Sequence, residues 1–146
     1  MNRQVFIKTI SIRQPWSWAI IHGGKDIENR TWPSMHIGPL LIHAGKMFDH
    51  YGYSWLVQNQ SILMAELPAR DSLLFKFGGI IGRVKMVDCV DNHPSPFFFG
   101  PWGHVYKKPE PLPFYPCKGA LSLFNVDYPD DFFKVDYAKM RANILP

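Results

Sequence analysis

Residues 4–32 read QVFIKTISIRQPWSWAIIHGGKDIENRTW, and three short patterns follow one another within them. Residues 4–12 alternate and are rich in β-branched types, which predicts a first strand. Pro15 suits the first turn of a helix, and Trp16, Ala19, Ile20 and Gly23 follow at helical spacing until Gly23-Gly24 stops it. Residues 25–32 then read as extended. A strand, one short helix and a second extended segment lack the regular crossover helices of a doubly wound parallel sheet.

Working outward, residues 38–44 predict an apolar strand, and residues 47–66 a poorer helix with Phe48, Tyr51 and Trp55 on one side, ended by Pro68. Residues 78–90 predict a long strand, bent or bulged at Gly78-Gly79 and Gly82. Residues 92–116 are rich in proline, carry Phe97-Phe98-Phe99, and read as an ordered but irregular excursion. Residues 118–127 predict a final strand, and Asp130 or Asp131 caps a terminal helix over about 130–144, with Phe133, Tyr137, Met140 and Ile144 at helical spacing. Strands separated by glycine and proline breaks, with helices after the first and third, predict an α+β fold: a small β-barrel with flanking α-helices.

The chain has 146 residues with no internal repeat, charge run or flexible linker, which predicts a single domain over 1–146. A hydrophobic content of 47% against 19% charged residues excludes a disordered chain. The formal charge of +4 permits a polyanionic partner without demanding one. Five Trp, six Tyr and eleven Phe raise the question whether all pack in the core or some form a recognition surface. The first residues lack the apolar core of a signal peptide, and no apolar run approaches the ~20 residues that span a bilayer. The two cysteines, Cys89 and Cys117, have neither C-x-x-C spacing nor a histidine at zinc-ligand spacing, and read as free thiols. A cytoplasmic protein with no membrane partner and no metal-ligating set is the expectation.

The polar residues gather in three places. Glu28, Arg30 and Trp32 share one face of the extended segment, so carboxylate and guanidinium can orient each other beside a stacking plate; a surface ion pair would look the same. Lys25, after Gly23-Gly24, is near enough in sequence to reach the same pocket, as phosphate contact or as base. In Ile42-His43-Ala44-Gly45-Lys46 an apolar strand stops at a basic residue; His43 suits a satisfied structural histidine, and Lys46, beyond the strand, can face a ligand. In Lys118-Gly119-Ala120-Leu121-Ser122 a serine embedded in an apolar strand needs a local or ligand hydrogen bond. No G-x-S-x-G elbow and no phosphate-cradling G-x-x-x-x-G-K-[ST] loop is found. Phe97-Phe98-Phe99-Gly100-Pro101-Trp102 can plug the barrel end or line a groove for a base.

Ser11-Ile12-Arg13-Gln14-Pro15-Trp16, Gly24-Lys25-Asp26-Ile27-Glu28-Asn29-Arg30-Thr31-Trp32 and Ile42-His43-Ala44-Gly45-Lys46 together resemble the ASCH domain (activating signal cointegrator homology). The resemblance extends over about residues 5–127, with Gly79–Gly82 and Lys118–Phe124 similar to the family's closing strands. It implies a barrel related to the PUA fold with a cleft for RNA or nucleotides, lined or supported by Gln14, Trp16, Lys25, Glu28, Arg30, Trp32 and Lys46. It further implies two chemistries. In a ribonuclease, described for some members as metal-dependent, Lys46 and Ser122 form the catalytic set, with a divalent cation assisting through Glu28. In an amidohydrolase of an acetylated nucleoside, Lys25 and Glu28 form an acid–base pair, although Glu28 stands where that branch has a threonine. A non-catalytic RNA-binding module is the third possibility. Lysine, arginine and tryptophan serve binding and catalysis alike.

Overall fold

The computed structural model describes residues 4–129. The helix expected at about 130–144 lies outside the described residues. The alternating start forms strand β1, Gln4–Gln14, and Pro15 leads into helix α1, Trp16–His22. Gly24 takes φ +81°, a conformation costly for other residues, and so lets the Lys25 N–H turn back onto Ala19 O at 3.0 Å. This ends α1 and sets Lys25 at the entrance to strand β2, Ile27–Arg30.

Strand β3, Gly38–Phe48, runs four residues beyond the expected end, so Lys46 lies within it and Phe48 closes a strand instead of opening a helix. Helix α2 is correspondingly short, His50–Gln58, capped by Asp49, whose side chain accepts from Gly52 N–H at 2.8 Å. A 3-10 turn, Gln60–Ile62, follows. Strand β4, Gly79–Val90, shifts register against its neighbours beside Gly82, as the glycines predict.

The expected irregular excursion at 92–116 is instead, from Trp102 to Pro116, the fifteen-residue strand β5. Its prolines are tolerated because β4 pairs along one side of it, whereas β2 pairs only with Trp102–Val105 on the other. Tyr106 N–H still donates on that side, to Asp26 O at 2.9 Å; beyond it the second edge has no strand partner among the described residues, and Pro109, Pro111 and Pro113 fall at every second residue there. Strand β6, Leu123–Pro129, begins later than expected.

These strands form one sheet in the order β2-β5-β4-β3-β1-β6, antiparallel except for β1 beside β3. The α+β class is as expected, but the barrel is not closed, because closure requires unbroken pairing around the ring. β6 pairs with β1 only from Gln4 to Ile10, and β2 ends after four residues without reaching β1. A seam is left along Ser11–Gln14. One side chain crosses it, Arg30 Nη2 donating to Ser11 O at 2.9 Å.

Ile10, Ile12, Leu40, Ile42, Val84 and Met86 pack inside the curled sheet, with Ile20 and Ile21 of α1 stopping its end. Leu41, Ile80, Leu112, Val126 and Tyr128 form a second cluster. A third cluster joins Trp18 and Ala19 of α1 to Tyr53 of α2 and Phe75, and a fourth joins Ile27 to Leu56 and Phe97. Among the described residues no helix is long and apolar enough to cross a membrane.

Candidate functional site

The seam opens into a cleft of about 690 Å³. Trp16, Glu28, Arg30, Trp32, Lys46 and Ser122, six of the eight residues singled out from the sequence, line it. The period-two reading of β2 holds here, since Glu28 and Arg30 project to the same side and Trp32 continues their line past the strand end.

Buried Glu28 lies between two cations. Its Oε1 accepts from Lys25 Nζ at 2.7 Å, and its Oε2 lies 3.2 Å from Arg30 Nη2. Lys25 also donates to Ile27 O and sits 5.6 Å from the centre of the Trp16 ring. With its ammonium committed to these partners, Lys25 lines a neighbouring hollow of about 310 Å³ and not the main cleft. Gln14 is enclosed entirely: its Nε2 donates to Lys76 O and its Oε1 accepts from Trp18 N–H, both at 2.9 Å. Both ends of the amide therefore hold backbone, and Gln14 supports the turn into α1 without lining the cleft.

Two tryptophans wall the cleft, each fixed from behind. Trp16 Nε1 donates to Asp49 Oδ2 at 2.9 Å, so the cap of α2 also orients the indole. Burial opposes ionisation of Asp49, but the Gly52 N–H, the Trp16 indole and the Arg13 charge outweigh it and hold the carboxyl below its ordinary range. Trp32 meets His104 edge-to-face at 4.8 Å, with His104 Nε2 3.4 Å from Trp32 O. Burial keeps the His104 imidazole below its usual value against that hydrogen bond, with Arg30 adding to the effect. Beside it Tyr106 is pushed up by burial and by the Glu28 charge. Arg30 Nε, His104 Nδ1 and Tyr106 Oη are buried without a hydrogen-bond partner among the described residues.

Lys46 is exposed on the rim and has no ion pair among the described residues. Ser122, expected inside an apolar strand, is instead exposed in the loop ahead of β6, with φ +60°. His43 is a satisfied structural histidine: its Nε2 donates to Cys117 O at 2.8 Å, which leaves Nδ1 to accept from Ser11 Oγ at 2.9 Å. Burial, its largest influence, keeps this imidazole low despite the bond to Cys117. The sequence reading missed Arg13, Asn29 and Met47, which also line the cleft. Arg13 reaches the cleft because it lies where β1 outruns β6, which no local pattern in the sequence marks. For Asn29, which strand alternation leaves off the face shared by Glu28 and Arg30, no local signal existed, because its partners lie about seventy residues away.

The donor set does not suit a divalent cation held by protein ligands. Among the described residues Glu28 is the sole carboxylate lining the cleft, and both its oxygens face cations. Among the described residues no group of three or more His, Cys, Asp and Glu could hold a metal ion. What the arrangement offers is two indole faces, a buried carboxylate balanced by two cations, and a free ammonium at the mouth. A search of curated proteins gives no match. The three sequence motifs that build the cleft nevertheless occur in one order and one place, and the ASCH domain model matches residues 10–137 across all of them; the chain belongs to the ASCH domain family.

Proposed function

We propose that the cleft binds RNA, one unpaired base lying against Trp32 or Trp16 with its phosphate toward Lys46. The observation that carries this reading is the pairing of two fixed indoles with a rim ammonium free of any acidic partner among the described residues. Unpaired bases offer π-faces that stack on aromatic side chains, and phosphate favours a mobile, exposed cation. Arg13, exposed on the same rim, adds a second contact. Arg30, whose Nη2 is spent on Glu28 and Ser11 O, acts in this scheme mainly as a brace across the seam. The curled sheet is then the PUA-like barrel, opened along the seam to admit its ligand, and the chain is one such domain.

Ribonuclease action is the finer reading, supported by Lys46 and Ser122 lining the same mouth. There a 2′-hydroxyl attacks the adjacent phosphorus and loses its proton, the 5′-oxygen leaves and gains one, and Lys46 offsets the charge on the pentacoordinate phosphorus. Hydrolysis of an acetylated nucleoside has less support, since Lys25 and Glu28 are engaged with each other. The deciding experiment is titration of purified protein with single-stranded RNA at low and high salt, followed by gel analysis of the RNA. Binding that weakens with salt is expected. Absence of binding at low salt rejects the proposal, and release of acetate from acetylcytidine would favour the amidohydrolase instead.

A further inference from the structure

The three adjacent phenylalanines have separate fates. Phe97 packs in the core with Ile27 and Leu56, Phe98 is half-buried, and Phe99 is 63% exposed. Two side chains hold the segment, Ser95, whose Oγ accepts from Phe97 N–H at 3.2 Å, and Asn29. Asn29 Oδ1 accepts from the N–H groups of Phe99 at 2.8 Å and Gly100 at 3.0 Å, while its Nδ2 donates to Phe97 O at 2.9 Å. The Phe99 ring meets Trp55 edge-to-face at 5.3 Å, and Trp55 in turn lies 6.1 Å from Trp16. A row of rings therefore runs from the cleft wall to this loop.

Phe99 and Trp16 both line the hollow of about 310 Å³ that Lys25 also lines. Trp16, Glu28 and Asn29 line this hollow and the main cleft alike, so the two adjoin. We infer that the hollow is a second base slot, and that the ligand is single-stranded RNA of at least two consecutive nucleotides, the second base stacking on Phe99. The inference rests on the cleft's binding RNA. Stacking on a phenyl ring accepts any base, so this slot contributes affinity and demands unpaired RNA without selecting sequence. A loop whose backbone is held beforehand by Asn29, with the Phe99 ring against Trp55, loses little freedom when the base arrives.

Affinity is measured for the four nucleoside monophosphates and for mixed-sequence RNAs of two and four nucleotides, with the full chain and with Phe99→Ala and Phe99→Tyr. Because Phe99 is exposed, neither substitution opens a cavity in the core. Two nucleotides should bind about tenfold or more tighter than one; Phe99→Ala should abolish that gain and leave monophosphate affinity unchanged, while Phe99→Tyr retains it. Equal affinity for one and two nucleotides, or equal loss of both in Phe99→Ala, overturns the second slot and leaves the cleft reading standing. Failure of all the ligands to bind overturns the cleft reading and the slot with it.

Discussion

Lys25 Nζ stands 2.7 Å from Glu28 Oε1 with the two side chains 3% and 11% exposed, a buried ion pair at the junction of the two hollows. The same carboxylate serves Arg30. Removing Glu28 leaves two cations without their counter-charge, whereas removing Lys25 leaves Glu28 with Arg30. Breaking a buried pair from one side costs about 3–5 kcal/mol. Glu28→Gln, which keeps the shape, should therefore lose about that much unfolding free energy in urea, and Lys25→Met clearly less. Equal losses would mean that Arg30 contributes nothing to holding the carboxylate.

Lys46 and Trp32 should fail differently. An ammonium that contacts one phosphate contributes about 0.7 to the slope of log affinity against log salt on single strands. Lys46→Ala should lower the slope by about that amount and weaken binding mostly at low salt. Trp32→Ala should cost about 1–3 kcal/mol at every salt concentration. If purified protein cleaves RNA and Lys46→Ala cleaves it equally fast, Lys46 has no part in the chemistry.

Much of the site was written in local sequence because much of it is local. Glu28, Arg30 and Trp32 lie within five residues, and strand periodicity alone aligns them. What escaped depends on pairings distant in sequence. The prolines of β5 read as irregular because nothing in Lys107–Pro116 says which edge of the strand lacks a partner. The closed barrel was expected because neither the early stop of β2 nor the half-length pairing of β6 has a sequence marker. Gln14 and Lys46 occupy similar positions near strand ends, yet one is enclosed and the other exposed. The difference lies in what packs over them: Lys76 O and Trp18 N–H claim the Gln14 amide.

The two enclosed histidines make stability depend on pH. Burial is the largest influence on both His43 and His104 and lowers each below the ordinary imidazole value of about 6.5. Both are neutral in the fold, while the unfolded chain takes up protons as pH falls through 6.5. Their contribution is complete above that pH and declines toward the folded values below it. Asp49, held low by Gly52, Trp16 and Arg13 against its burial, adds a further decline at more acid pH. The thermal midpoint should be level from about pH 7 to 8 and fall below about 6.5. His43→Gln should lower the plateau and flatten the decline; a midpoint level down to pH 5 would show that neither imidazole is shielded.

Gly52 offers a way to move Trp16 without touching the cleft. A Cβ there would lie 2.6 Å from both Trp16 Cζ2 and Nε1, closer than carbon and ring atoms approach. The indole cannot simply swing aside, since Nε1 is bonded to Asp49, whose other oxygen caps α2 through the Gly52 N–H. Gly52→Ala must therefore displace the ring or break that bond. Overpacking costs about 1–3 kcal/mol, and the better helix propensity of alanine returns about 1 kcal/mol, so the net loss of stability should stay below about 2 kcal/mol. Trp16 lines both hollows, so RNA affinity should fall by about tenfold, the weight of one stacked base. Near-ultraviolet circular dichroism reports whether the indole has moved. A shifted indole with undiminished RNA affinity would remove Trp16 from the binding surface and leave Trp32 as the stacking plate.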